Sequence, residues 1–478
     1  MRRTFVKNLI LLQGLNLIIK PVWLLLIDRM AQNLLGSAYA EYYIIFNLAV
    51  VINIILDIGI QNFSNTGVAA NEQFFKVNFK QIVLAKCLLS VLYFLVILGL
   101  GSASGLESKL ILIISLNQIL VSFVLYFRTN INGLHHYELD SILSVSDKFF
   151  GIVFCVALYW ADKINIYAFA LAQLAATGLS FVITGFLNLN YWSRIQTNHA
   201  VQAFKLSELF KKSMPFALLF ALMGFYTRAD VMMMKWLLPD ALFHCGIYAQ
   251  SFRLLDAAAM FAMLFSGLLL PMFTRQIHSQ QDVRPLTNLA ASMLLIVSLT
   301  VASAAFFFSE DIMAALYKYA DIEHLRLSSR VFSNILMAFI PMSLTFVFST
   351  LLTAKRDLFY LNLFALSALI CNVVLNLLLI PNYSSYGASI SSLITQSVFA
   401  FLCVWRCFKL FNFKLSIKDV LKYAGFTLIL TGVYVSIKGI NQVWLALAIY
   451  AFAALVLVFA LKLFDIRQIL NTFKLSKQ

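Results

Sequence analysis

Fourteen apolar stretches long enough to cross a bilayer run at about 9–27, 42–62, 82–101, 109–127, 141–161, 166–188, 214–238, 245–273, 286–308, 331–353, 359–380, 386–408, 420–437 and 443–463. A helix needs about 20 apolar residues to span the hydrocarbon core, and lipid offers no partner to an open backbone. Strands of a membrane barrel are about ten residues long and alternate apolar with polar, which these stretches do not. The expected fold is therefore an all-α polytopic membrane protein of about 14 transmembrane helices. Composition agrees: 62% of the 478 residues are hydrophobic and 12% charged, against roughly 45–50% and 25% in soluble domains. These values exclude a soluble enzyme, a disordered chain and a secreted disulfide scaffold.

A formal charge of +15 would suggest nucleic acid in a soluble protein, but loops left in the cytoplasm accumulate Lys and Arg. With the N-terminus in the cytoplasm, roughly 22 of the 36 bases fall at cytoplasmic span ends and about 7 on the far side. Cytoplasmic loops then carry Arg194, Lys205, Lys211, Lys212, Arg406, Lys409, Lys414 and Lys418. The far-side loop at 309–330 mixes Glu310, Asp311, Asp321 and Glu323 with its bases. An even span number returns the C-terminus (Lys474, Lys477) to the cytoplasm. No nucleic-acid partner is expected. The start, Met1-Arg2-Arg3-Thr4-Phe5-Val6-Lys7, reads as a retained first helix, because no small-residue cleavage site follows promptly and Lys20-Pro21 interrupts the apolar run.

The longest connection splits the first twelve spans six and six. The expected organisation is a bundle over 1–190, a cytoplasmic linker at 191–213, a second bundle over 214–410, and two extra helices with a tail over 411–478. An internal echo crosses the linker. Leu34-Leu35-Gly36-Ser37-Ala38-Tyr39 leads into the second span, and Leu237-Leu238-Pro239-Asp240-Ala241-Leu242, then Gly246-Ile247-Tyr248, leads into the eighth. Repeats of this kind build many transporters. No loop exceeds about 26 residues, so a catalytic domain has nowhere to sit, and no enzyme is expected.

Ionisable residues inside spans cost a few kcal/mol and face a cavity, a partner or the interface. In the first span Gln13, Asn16 and Lys20 form one polar stripe, with Pro21 loosening the ladder after it. Asn53, Asp57 and Gln61 share a face of the second span; Asp57 suits a proton or cation site and equally a salt-bridge partner. Lys86 is read as reaching the interface, and Lys148, beside Asp147, as lining a cavity. Arg228 and Lys235 share a face of the seventh span with Asp230 opposite, while Arg253 and Asp256 are spaced to pair. Lys20, Lys148, Arg228, Lys235 and Arg253 outnumber the acids near them, Asp57, Asp230 and Asp256, an excess that suits a phosphate or pyrophosphate.

The stripe Gln173, Thr177, Ser180, Thr184 and Asn188 reads as glue between helices, as do Asn372 and Asn376. Cys87, Cys155, Cys245, Cys371, Cys403 and Cys407 read as packing residues. His135-His136, with Glu138 and Asp140, reads as a solvated loop, so no metal is expected. There is no Walker loop, dinucleotide fingerprint or hydrolase elbow, so no cofactor is expected. Energy would come from an ion gradient, the membrane potential or downhill flow.

Three stretches are similar to a known family. Leu35-Gly36 through Tyr39, Tyr42 and Tyr43, then Leu56-Asp57-Ile58-Gly59-Ile60, resembles the opening of polysaccharide (Wzx-type O-antigen) flippases. Arg228-Ala229-Asp230, with Gly246-Ile247-Tyr248-Ala249 and Pro271, resembles their seventh and eighth helices. Asn372 to Asn376, Ile380-Pro381 and Tyr386-Gly387-Ala388-Ser389 resemble their eleventh and twelfth. The family belongs to the multidrug/oligosaccharidyl-lipid/polysaccharide exporter superfamily. The resemblance implies two six-helix bundles around a central cavity plus two C-terminal helices. It implies flipping of an undecaprenyl-pyrophosphate-linked glycan, such as an O-antigen unit in lipopolysaccharide synthesis, across a bacterial inner membrane. The implied partners are that lipid-linked anionic glycan, membrane lipids and other glycan-assembly membrane proteins. Lys20 and Asp57 match positions of the related peptidoglycan-precursor flippases, although this chain lacks their arginine-rich first helix. The alternatives are that precursor flippase and an ion-coupled multidrug or metabolite antiporter of the same superfamily.

Overall fold

A computed structural model describes residues 14–195, 206–413, 417–461 and Leu463. The start at Met1–Lys7, Gln13, residues 196–205 of the linker, Lys414, and Lys474 with Lys477 lie outside the described residues. Every described element is helical. In the first compact unit, Met1–Gly246, α1 covers residues 14–35. It is followed by α2 (Ser37–Ile52), α3 (Ile54–Asp57), α4 (Ile60–Ala70), α5 (Glu72–Ala103), α6 (Ser108–Gly133), α7 (Tyr137–Leu143), α8 (Ser146–Trp160), α9 (Ile166–Arg194) and α10 (Leu206–Leu237). Helix α11 (Ala241–His278) leads into the second unit, Ile247–Gln478. That unit holds α12 (Arg284–Phe307), α13 (Ser309–Leu316), α14 (Ile322–Met337), α15 (Phe339–Ala354), α16 (Leu358–Phe411), α17 (Ile417–Ile437) and α18 (Val443–Ala460).

Among the described residues, 11 helices are long and apolar enough to cross a membrane. The three further spans expected from the sequence are accounted for by interruptions of the helix ladder. Helix α16, 54 residues long, is really a hairpin: Ser384 leaves helical geometry at φ 51° and ψ −131°, three residues after Pro381. A Cβ on Gly387 would collide with the Leu379 carbonyl, so the returning arm requires glycine where it presses on the end of the outgoing one. Ser391 Oγ donates to the Asn372 carbonyl at 3.3 Å, tying the two arms together. The second span is broken into α2, α3 and α4. The first carries a π-helical turn, Trp23–Asp28, directly after Pro21 and Val22; such turns are rare and concentrate at functional sites.

Helix α14 begins at Ile322, earlier than the apolar run predicts, because Asp321 caps it, its Oδ1 accepting from His324 N at 2.7 Å. The division between units falls after Gly246, because α10 packs along α2 and Gly246 sits 3.6 Å from the Ala40 methyl for an added Cβ. Divided by packing, the chain keeps α10 with the N-terminal unit.

In lipid, helices associate through close packing and hydrogen bonds rather than a hydrophobic force. The polar stripe of α9 does this in the first unit. Tyr42 OH donates to Gln173 Oε1 (3.0 Å), Ser146 to Ser180 (2.9 Å), and Asn130 to Asn188 Oδ1 (3.1 Å). In the second unit the two extra helices dock on α12: Tyr423 donates to Ser292 at 2.8 Å and Tyr450 to Ser303 at 2.9 Å. Arg406 bridges Asp357 at 2.8 Å while lying 3.5 Å over the Tyr360 ring. The six cysteines are free thiols, and no metal-binding cluster occurs among the described residues.

Candidate functional site

The break in the second span is built by residues far apart in sequence. Helix α3 ends with Ile58 left-handed at φ 40°, followed by Gly59 at φ 80°. Glycine meets that geometry freely, whereas a β-branched residue there costs about 1–2 kcal/mol. The unwound turn frees the Leu56 carbonyl. Lys86, 1% exposed on α5, points its ammonium into the gap and donates to Leu56 O at 2.9 Å and Ser122 Oγ at 2.7 Å. Ser122 donates to the same carbonyl at 3.2 Å. Asp57, the last residue of α3, reaches across the break: its Oδ1 accepts from Gln61 N at 3.1 Å, and the carboxylate interacts electrostatically with Lys86. Lys86 therefore does not reach the interface as expected. The freed carbonyl on another helix draws it inward.

Lys20 occupies a different setting. It is half-buried on α1 one residue before Pro21, within electrostatic reach of Arg128, Asp147 and Lys148. The acids of this neighbourhood are committed elsewhere. Asp140 takes Arg128 at 2.8 Å and the Asn132 amide at 3.1 Å; Asp147 takes Lys148 at 3.3 Å. Among the described residues none forms a hydrogen bond or ion pair with Lys20. Three cations thus share two paired carboxylates, and Lys20 is the surplus one. Lys148 also lies 5.2 Å over the Trp23 ring, and Trp23 sits tightly on Gly151, where an added Cβ would come within 2.9 Å.

Deeper along α1, Asp28 is 1% exposed and accepts from Tyr39 OH at 2.7 Å and Gln32 Nε2 at 3.0 Å. Asn16, the buried member of the polar stripe, donates to Ser144 Oγ at 2.8 Å. The stripe therefore divides into a buried structural residue, Asn16, and a half-buried one, Lys20.

The structure brings Lys20 and Lys148 together and adds Arg128, a residue the sequence analysis did not single out. The adjoining Asp140 was its signal, but only folding of α7 against α6 shows the pairing. Arg228 and Lys235 are half-buried on α10, and Asp230 on the same helix is fully buried. Arg253 and Asp256 belong to the second unit, where they face each other at 3.8 Å. Asp57 stands at the helix break with Lys86, apart from the neighbours of Lys20.

Comparison with known proteins agrees with this architecture. The solved structure of the Lipid II flippase MurJ, in an inward closed conformation, is similar to it with a TM-score of 0.68 and 14% identity, covering 96% of this chain and 98% of that one. The Vibrio cholerae MATE transporter VcmN gives 0.59 at 14% identity, covering 85% and 98%. An inward-facing multidrug resistance MATE family transporter of the MOP superfamily gives 0.60 at 12%, covering 83% and 94%. Among curated proteins, none matches the chain. The family model for polysaccharide biosynthesis proteins matches residues 5–277, more than half of the sequence. That match, together with a fold similar to these transporters, makes the chain a member of the polysaccharide biosynthesis protein family.

Proposed function

We propose that the protein is a flippase, not an enzyme, that carries an undecaprenyl-pyrophosphate-linked oligosaccharide across a bacterial inner membrane by alternating access, with both termini in the cytoplasm. The cargo would be an O-antigen, capsule or exopolysaccharide repeat unit. The observation that supports this best is the surplus cation at Lys20, beside two acids already bound to Arg128 and Lys148. A lysine in a spanning helix is costly, and a pyrophosphate offers the charge that would offset it. Lys20 is the principal contact to the pyrophosphate in this reading. Lys148, Arg228, Lys235 and Arg253 supply further positive charge, and Asp57, Asp230 and Asp256 balance or switch it. A cationic-drug antiporter would need uncommitted acids here, and Asp140 and Asp147 are both paired.

The test is the sidedness of a labelled polyprenyl-pyrophosphate oligosaccharide in proteoliposomes, read by its protection from an external glycan-modifying reagent. Wild type should remove the protection, and Lys20→Glu and Arg228→Glu should not, while reconstituting equally well. Wild-type flipping by both variants would sink the assignment of residues. No protein-dependent flipping of any lipid-linked glycan would sink the function and turn attention to drug efflux.

A further inference from the structure

A second cluster of cations lies where α5 begins and α9 ends. Trp192 is fixed there by a reciprocal exchange with Lys76: its indole N–H donates to the Lys76 carbonyl at 3.0 Å, and Lys76 Nζ donates to the Trp192 carbonyl at 2.8 Å. The Lys76 ammonium stands 4.1 Å from the indole centroid, and the Lys80 ammonium, one turn further on, 5.1 Å from the same ring. Two like charges four residues apart on a helix repel. Among the described residues no carboxylate pairs with either. Arg194, exposed, is two residues beyond Trp192.

Beside this cluster opens a cavity of about 550 Å³, lined in part by Gln73, His136, Tyr191 and Arg194, with Glu72 its one described carboxylate. From Lys80 the exposed side of α5 continues into Leu84 and Leu88, which are 62% and 64% exposed. A cationic, aromatic zone at a helix end that runs into bare leucines follows the profile of a lipid, headgroup first and acyl chain second.

We infer that Lys76 and Lys80, held over the Trp192 ring, with Arg194 at the same helix end, bind the phosphate of an anionic phospholipid whose acyl chain runs down Leu84 and Leu88. The lipid is a resident ligand of the bundle's outer surface, distinct from any transported cargo. Free phosphate shares the headgroup chemistry but makes no use of the leucine face.

Native mass spectrometry of the purified full-length protein tests the assignment, with phosphatidylglycerol or phosphatidylcholine added at equal concentration. Wild type should retain phosphatidylglycerol at least about fivefold better, roughly 1 kcal/mol of discrimination by the tenfold-per-1.4 kcal/mol rule. Millimolar inorganic phosphate should not displace it. Lys80→Gln should lose the preference and Lys80→Arg keep it; the Lys80 side chain forms no hydrogen bond among the described residues, so this variant avoids disturbing the Lys76–Trp192 exchange. Equal retention of the two lipids, or an unchanged preference in Lys80→Gln, would overturn the site. Displacement by inorganic phosphate would overturn the lipid and leave a soluble-anion site.

Discussion

Replacing Lys86 by Met tests whether the lysine holds the second span open. The change removes two charge-assisted hydrogen bonds, to Leu56 O at 2.9 Å and Ser122 Oγ at 2.7 Å. Bonds to charged groups are worth about 1.5–3 kcal/mol each, so the loss is about 3–6 kcal/mol. Against this stands the relief of an ammonium in the membrane, about 2.5–3.5 kcal/mol on insertion scales. Ser122 keeps one bond to the Leu56 carbonyl, which limits the damage there. Asp57 loses the cation that faces it, which adds to it. The lost bonds win, and Lys86→Met should destabilise by about 1–3 kcal/mol. Thermal unfolding of the purified protein in detergent would be compared for wild type, Lys86→Met, Asp57→Asn and the double variant. If the two charges support each other, Asp57→Asn should cost less in the Lys86→Met background than alone, with a coupling of about 0.5–3 kcal/mol. A midpoint for Lys86→Met equal to or above wild type would refute the reasoning, because Lys86 would then be tolerated at the break rather than stabilising it.

Other outcomes follow from the packing. Gly387→Ala should prevent accumulation of folded protein, since its Cβ falls on the Leu379 carbonyl. Gly425→Ala, with nothing within 4 Å of its added Cβ, should be neutral or stabilise by up to about 1 kcal/mol; membrane-fraction yields distinguish the two. Tyr39→Phe removes a 2.7 Å bond to the buried Asp28 and should cost about 1.5–3 kcal/mol, read in the same unfolding assay.

The spans were legible because lipid imposes one rule on every crossing, and long apolar runs such as 82–101 obey it whatever their neighbours. The interruptions were harder to read. Gly59 and Asp57 carry the local signals of a broken and recapped helix, yet they lie inside an apolar run that reads as continuous. The two spans at 359–380 and 386–408 are legible as two apolar runs, but the tightness of the turn between them is not, because it depends on a contact at Gly387 that any side chain would block. The charged residues of the spans were legible in type and illegible in pairing. Lys86 and Lys20 look alike in the sequence, each a lone base in an apolar segment. Their fates depend on α3 and α6 in one case and on α6 and α8 in the other, which no local pattern records.

That contrast can be turned into a test of function. Both lysines carry the same nominal cost of placing a cation in a span. At Lys86 the protein offsets it with a carbonyl, a hydroxyl and a nearby carboxylate. At Lys20 no described residue offers a bond, and two of the charges in reach are like charges, Arg128 and Lys148. A chain selected for stability alone would gain by exchanging Lys20 for an apolar residue, and natural proteins keep such a liability where function needs it. Lys20→Met should therefore leave the unfolding midpoint unchanged or raise it, while abolishing the proposed flipping of a pyrophosphate-linked glycan. Lys86→Met should lower the midpoint. If Lys20→Met instead destabilises as much as Lys86→Met, Lys20 belongs to the framework, and the surplus charge that argues for an anionic cargo is no surplus at all.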